Sequence, residues 1–200
     1  MIKRKDGSDR YPLSIITGNP NLYLPDNVDL KSPGEILYFS RGCPYGCEYC
    51  NATERDGKKI RHMSLEKMID ITENFLSLGI KTFHNESDTF GFHPLDRDYL
   101  HWVAKQREKG REINLVNTNS FFARYFFPEN EFSKERVDML KNSGFETLTV
   151  SIESFNEKYN NGKLKGISIS NFKECFSYIK DSGLSLEIYM MYLFPGQIDT

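Results

Sequence analysis

Short apolar runs rich in β-branched and aromatic residues alternate with longer stretches of helical period from Glu35 onward. This alternation predicts βα units and a parallel sheet. The five predicted strands are EILYFSRG (35–42), IKTFHNES (80–87), EINLVNTNS (112–120), ETLTVSIES (146–154) and LSLEIYMMYLFPG (184–196). The four predicted helices are SLEKMIDITENFLSLG (64–79), DRDYLHWVAKQREKG (96–110), SKERVDMLKNSG (133–144) and SNFKECFSYIKDSG (170–183). Each predicted helix opens at Asp or Ser and ends at Gly, as helices commonly do.

The chain is predicted to consist of an arm and one core. Residues 1–34 contain several prolines and little periodicity, which predicts an irregular N-terminal arm or the remnant of a linker. Residues 35–200 form the predicted core. Thr200 falls where a fifth helix would begin, so we expect the core to be a C-terminally incomplete piece of a longer barrel. The exposed edge of the fifth strand would then need a missing segment or a partner to cover it.

Composition narrows the classes of partner and compartment. The 26 Lys and Arg residues nearly balance the 28 Asp and Glu residues, so a nucleic-acid partner is not indicated. No apolar run approaches the roughly 20 residues of a membrane helix, and the first residues lack the apolar segment of a signal peptide. We therefore predict a cytoplasmic protein with no membrane partner. Because cytoplasmic thiols stay reduced, clustered cysteines there are more typical of a metal or redox site than of disulfides.

Three of the four cysteines lie within the stretch RGCPYGCEYC. Cys43, Cys47 and Cys50 have the spacing CxxxCxxC, which supplies three thiolates from one loop and no fourth. Structural zinc normally takes four protein ligands, and the nearest histidine, His62, lacks zinc-finger spacing. An iron–sulfur cluster fits better, because its fourth iron could bind a substrate or cofactor directly. The alternative is a non-catalytic protein that holds zinc or a redox-sensing cluster.

CPYGCEYC after the first strand of a βα-repeat chain resembles the radical S-adenosylmethionine (SAM) superfamily, whose motif is CxxxCx(aromatic)C. Tyr49 occupies the aromatic position, and the resemblance covers most of residues 35–200. It implies an enzyme built on a partial (β/α)6 TIM-like barrel that lacks its last βα unit. It also implies that Cys43, Cys47 and Cys50 hold a [4Fe-4S] cluster, where SAM is cleaved to a 5′-deoxyadenosyl radical that abstracts hydrogen from an unknown substrate. An electron donor such as flavodoxin or ferredoxin is the implied partner.

Further polar residues match the family by position at the carboxyl ends of the predicted strands, where functional residues gather in parallel βα folds. At the second strand, the resemblance implies that the segment of Asn85, Glu86, Ser87 and Asp88 binds the amino group of SAM, with Glu86 or Asp88 making the contact. A carboxylate suits that ammonium because it accepts charge-assisted hydrogen bonds. At the third strand, Asn117 and Asn119 either line the pocket or satisfy the strand end.

The fourth and fifth predicted strands carry the rest of the resemblance. Ser151 and Glu153 match the position that contacts the ribose or the methionine part of SAM, and their spacing places both on the inner face. LFPGQ resembles the LPGE turn of the family, with Gln197 in place of Glu, and KKIRHMS makes Arg61 a candidate contact for the SAM carboxylate. The cobalamin-associated branch of the family is the one that three segments resemble most in pattern: HNESDTF, SIES and LFPG. Cobalamin would need an additional preceding domain, because the first 34 residues are too few for one.

The remaining features have structural interpretations. Cys175 lies on an apolar stripe of a predicted helix and is predicted to be a buried, inert thiol. The patch FFARYFF (121–127) is predicted to pack in the core, with a substrate wall or partner surface as the alternative. His84, His93 and His101 are predicted to have packing or surface roles.

Overall fold

The computed structural model of the protein covers the greater part of the predicted core. The described residues are 2–3, 9–10, 34–47, 49–154, 156 and 169–191. The strands are β1 (Ile2–Lys3), β2 (Asp9–Arg10), β3 (Glu35–Leu37), β4 (Ser40–Arg41), β5 (Arg61–His62), β6 (Thr82–Asn85), β7 (Asn114–Asn117), β8 (Phe121–Phe122), β9 (Thr147–Glu153) and β10 (Ser185–Met190). The α-helices are α1 (Ala52–Asp56), α2 (Leu65–Ser77), α3 (Pro94–Glu108), α4 (Lys134–Asn142) and α5 (Ile169–Asp181). The 3₁₀-helices Ala123–Phe126 and Pro128–Asn130 follow β8. Most of the predicted arm, and the LFPGQ turn with Gln197, lie outside the described residues.

Parallel strands form two three-stranded sheets in this part of the chain. The first sheet has the order β3-β6-β7 and the second the order β8-β9-β10. Every pairing within these two sheets is parallel. The prediction of an α/β fold with parallel strands is therefore confirmed. Within the described ranges the two sheets do not close into a barrel.

The first predicted strand, 35–42, is interrupted. Its first half forms β3 in the parallel sheet, but its second half turns away as β4. There Ser40 lies opposite His62 in an antiparallel pair with β5. The prediction of one continuous strand is wrong here, because a contact with a later segment redirects the backbone. The β4–β5 pair closes the base of the loop that carries the three clustered cysteines.

The third predicted strand, 112–120, is shorter than predicted. β7 ends at Asn117, and the chain resumes as β8 in the second sheet after Ser120, whose φ is 64°. The two sheets are joined within β7, where Leu115 N donates a hydrogen bond to Gly144 O (3.1 Å) just before β9. The carboxyl ends of β6, β7 and β9 therefore lie at the same edge of the fold.

All four predicted helices form, with ends within about two residues of the prediction. In α2 the Ser64 hydroxyl accepts a hydrogen bond from Lys67 N (3.3 Å), and the apolar face buries Met68, Ile71 and Phe75. Helix α1 was not predicted, because five residues are too few to show a helical period. No helix among the described segments is long and apolar enough to cross a membrane.

The aromatic patch FFARYFF forms the centre of the core. Phe121, Tyr125, Phe126 and Phe127 are each at most 2% exposed, which confirms the predicted core packing for these four residues. Phe122 differs, since it is half-buried and turns toward the cavity described below.

The fourth cysteine and one of the histidines also lie as predicted. Cys175 is 1% exposed, as predicted, and burial raises the pKa of its thiol to about 12. His101 is exposed on α3. His93 instead caps α3, where its Nδ1 accepts a hydrogen bond from Leu95 N (3.3 Å).

A buried ion pair that the sequence did not predict joins β5 to α3. His62 Nε2 lies 2.7 Å from Asp96 Oδ1, and His62 Nδ1 lies 2.6 Å from Met63 O. Both ring nitrogens face acceptors, so the geometry suits an imidazolium that donates two hydrogen bonds. Asp96 is fully buried, and its other oxygen accepts hydrogen bonds from Gly91 N and His93 N. The pair thus fixes the start of α3 against the base of the cysteine loop.

We predict that this pair makes stability depend on pH. Burial lowers the pKa of His62, but its hydrogen bonds to Asp96 and to the Met63 carbonyl outweigh burial and raise the pKa above its usual value. The stabilisation should therefore be complete below about pH 6.5 and disappear as the pH rises through the raised pKa, a change on the order of 1 kcal/mol. Urea unfolding between pH 6 and 9 should show this slope in the wild type and in His101→Gln, but not in His62→Gln. An equal slope in all three proteins would contradict the assignment.

Candidate functional site at the cysteine loop

The three clustered cysteines lie on a loop between β4 and β5, residues 42–60, which we call the cysteine loop. Its own backbone folds it into a compact unit. Cys43 N donates to Gly57 O (3.0 Å), and the Thr53 hydroxyl donates to Cys43 O (3.0 Å). These bonds tie the first cysteine to helix α1, which follows the last cysteine directly.

Gly42 is the point where the cysteine loop passes closest to its own return path. Its φ of 101° is unfavourable for a residue with a side chain, and a Cβ there would collide with the Lys59 carbonyl oxygen. Gly46 also has a positive φ, 57°, but no atom lies within 4 Å of where its Cβ would be. The chain therefore needs glycine at 42 for space and at 46 for conformation alone.

Asp88 holds both halves of the cysteine loop from outside. Its Oδ1 accepts a hydrogen bond from Arg55 Nη2 of α1 (2.7 Å), and its Oδ2 accepts one from Gly42 N (3.3 Å). The Asp88 side chain is 6% exposed, so the pair with Arg55 is largely shielded on the acidic side. The neighbouring Ser87 supports the same region, because its hydroxyl accepts hydrogen bonds from Phe39 N and Ser40 N. Residues after β6 thus position the loop that follows β4.

A cavity of about 320 Å³ opens between the cysteine loop and the carboxyl ends of the strands. The residues predicted from the sequence that line it are Cys43, Cys47, Tyr49, Cys50, Glu86, Asp88, Ser151 and Glu153, together with the candidate Asn119. Ser87 and Asn117 do not line it. Asn117 is buried, and its side-chain amide has no hydrogen-bond partner among the described residues. Arg61 lies outside the cavity, where its Nη1 donates to Asp56 O (2.8 Å).

Glu86 is oriented by the crossing between β7 and β8. The Thr118 hydroxyl donates a hydrogen bond to Glu86 Oε1, and Asn119 Nδ2 donates to Glu86 O (2.7 Å). Glu86 N in turn donates to Leu37 O (2.9 Å), which continues the pairing of β6 with β3. The backbone of this glutamate is therefore fixed from both neighbouring strands, while its carboxylate reaches the cavity.

Glu153 and Tyr49 meet on the opposite wall of the cavity. Glu153 is 8% exposed and has a φ of 68°, although it is not glycine. Burial raises the pKa of the Tyr49 phenol, and the negative charges of Glu153 and Cys47 and hydrogen bonds to both raise it further. Tyr49 thus stays protonated and can donate to these groups.

A second residue with strained backbone lines the cavity beside Ser151. Ser120 has a φ of 64°, and its hydroxyl is hydrogen-bonded to the Ser151 hydroxyl. Non-glycine residues in this conformation cost about 1–3 kcal/mol each and cluster at functional sites. Ser120 had no sequence signal, because serine is not among the residues that favour a positive φ.

Two arginines that were not among the predicted site residues bring positive charge to the cavity. Arg55 pairs with Asp88, as described above. The Arg41 guanidinium stacks over the Tyr38 ring, with its central carbon 3.9 Å from the ring centroid. Arg41 lies two residues before the cysteine motif, so its position could have marked it as a candidate site residue. Arg55 lies five residues past the motif, and nothing in the sequence marked it.

The thiols differ in their surroundings. Burial raises the pKa of Cys43, and the nearby Cys47, Cys50 and Asp88 add to this, while a backbone hydrogen bond opposes it. Cys47 is half-buried and Cys50 is exposed. Among the described residues, no three His, Cys, Asp or Glu side chains converge on one point as the ligands of a single metal ion would.

A parallel α/β fold that gathers a CxxxCxxC loop and carboxylates at one edge is the arrangement expected of radical SAM proteins. The sequence model of the Radical SAM superfamily matches residues 37–200. The chain belongs to this superfamily.

Similar proteins include two methyltransferases and a cobalamin-dependent radical enzyme. An uncharacterized methyltransferase, PH0819, of Pyrococcus horikoshii is 24% identical over 163 residues, which cover 81% of this chain and 32% of that protein. The radical SAM methyltransferase TsrM of Kitasatospora setae, solved with cobalamin and a [4Fe-4S] cluster bound, has a TM-score of 0.64 at 17% identity over 82% of this chain and 32% of that one. The cobalamin-dependent SAM radical enzyme OxsB, solved with aqua-cobalamin and SAM, has a TM-score of 0.62 at 19% identity over 79% of this chain and 24% of that one. The chain spans about a third or less of the length of these relatives.

The two glycines of the cysteine loop give a matched test of its geometry. We predict that Gly46→Ala lowers the free energy of unfolding by about 1 kcal/mol, the cost of a left-handed conformation. Gly42→Ala should lower it by on the order of 3 kcal/mol or more, because the new Cβ also collides with the Lys59 carbonyl. Urea unfolding under reducing conditions measures both values. Equal losses for the two variants would contradict the close approach at Gly42.

Proposed function

We propose that the chain is the catalytic core of a radical SAM enzyme, which reductively cleaves SAM at a [4Fe-4S] cluster and produces a 5′-deoxyadenosyl radical for hydrogen abstraction from its substrate. The observation that carries the proposal is the meeting of three cysteines and three carboxylates in one cavity at the carboxyl ends of parallel strands. Such an edge is where catalytic groups gather in parallel βα folds. The substrate and an electron donor such as flavodoxin or ferredoxin complete the proposed reaction.

The residues of the cysteine loop suit the cluster. Cys43, Cys47 and Cys50 supply soft thiolates from one wall of the cavity, and each would bind a different iron. When bound, the cluster supplies the electron that splits the sulfonium and an open iron that chelates the methionine part of SAM. The burial that raises the pKa of the Cys43 thiol also shields its sulfur from water. Metal binding favours the thiolate form of this cysteine.

The hydrogen bonds that Glu86 and Asp88 already accept indicate different roles for these two carboxylates. Both oxygens of Asp88 already accept hydrogen bonds, from Arg55 and from Gly42 N. Among the described residues, the Glu86 carboxylate accepts a hydrogen bond only at Oε1, from the Thr118 hydroxyl, which leaves Oε2 for an ammonium group. We therefore assign the amino group of SAM to Glu86 and the positioning of the cysteine loop to Asp88.

The other wall of the cavity suits the rest of SAM. Ser151, Glu153 and Tyr49 present hydroxyls and a carboxylate that can hold the ribose or the methionine part. Arg41 forms no ion pair with any described carboxylate and is the cation available for the SAM carboxylate. Asn117 and Ser87 act from behind the wall, through the ends of β7 and β6.

The proposed architecture is a partial (β/α)6 barrel, formed by residues 35–200 after an N-terminal arm. The strands of the two sheets follow each other in chain order, β3-β6-β7 and then β8-β9-β10, as neighbouring strands of such a barrel do. On β10, Tyr189 is 48% exposed and Met190 50% exposed. We propose that a further segment or a partner covers this edge, in keeping with the greater length of the relatives.

Methyl transfer is a second candidate reaction, favoured by the structural likeness to TsrM and OxsB, which were solved with cobalamin bound. Cobalamin use would require a domain beyond the residues that form the core. Product analysis separates the candidates, because hydrogen abstraction yields 5′-deoxyadenosine, whereas methyl transfer from SAM yields S-adenosylhomocysteine.

Iron content is the first test. Anaerobic reconstitution should give a brown protein with about four irons per chain, and SAM should alter the EPR spectrum of the reduced cluster. Cys47→Ala should lose the cluster, because only two thiolates remain in the cavity. The matched control, Cys175→Ala, removes the buried thiol of α5 and should keep its iron. A colourless protein with one zinc, or iron that survives Cys47→Ala, would refute the proposal.

The division of roles between the carboxylates is tested with neutral substitutions. Glu86→Gln should keep about four irons per chain and bind SAM roughly tenfold or more weakly, because an ammonium loses its charged acceptor. Asp88→Asn should instead lower the iron retained, because the cysteine loop loses its ion pair with Arg55. Equilibrium dialysis with labelled SAM and iron analysis give the two readouts. The assignment fails if Asp88→Asn weakens SAM binding at full iron content while Glu86→Gln does not.

A further inference from the structure

A second cleft lies on the outer, helical side of the fold, away from the cysteine loop. It has a volume of about 400 Å³ and is bounded by α3, by the start of α4 and by the 3₁₀-helices between them. Its lining includes Arg97 and His101 of α3 and Ser133 and Arg136 at the start of α4. Tyr125 also lines it. None of these residues has a role in the proposed reaction.

Positive charge in this cleft is not paired. Arg136 is half-buried, and its Nη1 donates to Tyr125 O (2.7 Å). Burial lowers the pKa of Arg136, and the like charge of Arg97 adds to this, while Tyr125 and Glu135 oppose it. Asp98 and Glu135 also line the cleft, but neither forms an ion pair within 4 Å of these arginines in the described part of the chain. Among the described residues, the two guanidinium groups therefore have no directly paired carboxylate.

The Tyr125 hydroxyl is an independent sign of a ligand. Tyr125 is 1% exposed, and its hydroxyl has no hydrogen-bond partner among the described residues. A buried hydroxyl without a partner is unfavourable by about 1–3 kcal/mol, so such groups normally have one. Tyr125 lines the same cleft as the two arginines, and the charges of both act on its phenol, so the hydroxyl can donate to an oxygen bound near them.

The start of α4 contributes further donors. Ser133 precedes the helix, but its side chain makes no capping hydrogen bond. The amide groups of the first turn, where Glu135 also lies, are therefore not capped by Ser133, and the helix dipole favours a negative acceptor there. Together the cleft presents two guanidinium groups, a phenol, a serine hydroxyl and a helix N-terminus as donors, beside the carboxylates of Asp98 and Glu135. That is more donors than the two oxygens of a carboxylate can use, but it suits a tetrahedral oxyanion.

We propose that this cleft binds a phosphate group, held by Arg97, Arg136 and the Tyr125 hydroxyl. The phosphate is either free or part of a small phosphate monoester, since both present the same oxygens to the donors. Binding would satisfy the buried hydroxyl, neutralise the arginine pair and join α3 to α4.

The test is calorimetric titration of the full chain with inorganic phosphate, glycerol 3-phosphate and acetate, each at constant ionic strength. The wild type should bind both phosphate compounds saturably and acetate more weakly. Arg97→Gln should weaken phosphate binding by about tenfold, because one charged donor is lost. Lys105→Gln, which removes an exposed charge from the same helix outside the cleft, is the matched control and should bind as the wild type does.

Tyr125→Phe tests the hydroxyl separately and keeps the buried ring. It should fold, because the hydroxyl it removes has no partner in the described structure, and it should bind phosphate about tenfold more weakly. The relative affinities of the two phosphate compounds show whether the free ion or an ester is the better ligand. The proposal is overturned if no saturable binding occurs, if acetate binds as tightly as phosphate, or if either variant retains the wild-type affinity.

Discussion

The hydrogen bonds of Asp88 to Gly42 and Arg55 connect the cysteine loop to the parallel sheet. β6 continues into Glu86, whose N donates to Leu37 O, so the backbone that carries Asp88 is an extension of the sheet. One oxygen of Asp88 binds the beginning of the cysteine loop at Gly42, and the other binds Arg55 of α1 in its second half. Both parts of the loop are thereby held against the sheet. Functional loops generally gain precision from such a scaffold. Without this carboxylate, the cysteines would be fixed mainly by the loop's own backbone.

The edge of the sheet also stores conformational strain. Ser120 and Glu153 both have a positive φ at the ends of neighbouring strands, and both line the cavity. Each is held by a hydrogen bond to the second sheet or the residue after it: Ser120 is bonded to the Ser151 hydroxyl, and the Glu153 carbonyl accepts from Met191 N (2.8 Å). Such strain persists only where the surroundings over-determine the backbone. The wall of the cavity is therefore pre-formed by the pairing of β9 with β8 and β10.

The sequence predicted those features that depend on local patterns. The helical period and the Ser64 start predicted helix α2. The cysteine spacing and the polar residues at the strand ends predicted most residues that line the cavity. Features set by contacts distant in sequence were missed. The break of the first strand depends on Ser40 meeting His62, and the role of Arg55 depends on an aspartate 33 residues away. Neither contact leaves a periodic or compositional signal.

Electrostatics links the cavity to the kind of ligand it can hold. Arg55 neutralises Asp88, which leaves Glu86 and Glu153 facing Arg41 and three cysteines. Once the cysteines are thiolates on a metal, negative charge exceeds positive charge in this space. SAM carries a sulfonium and an ammonium but a single carboxylate, so its charge complements the cavity, where Arg41 is the lining cation that forms no ion pair among the described residues. A ligand with the opposite balance, such as a nucleotide with several phosphates, would be repelled here.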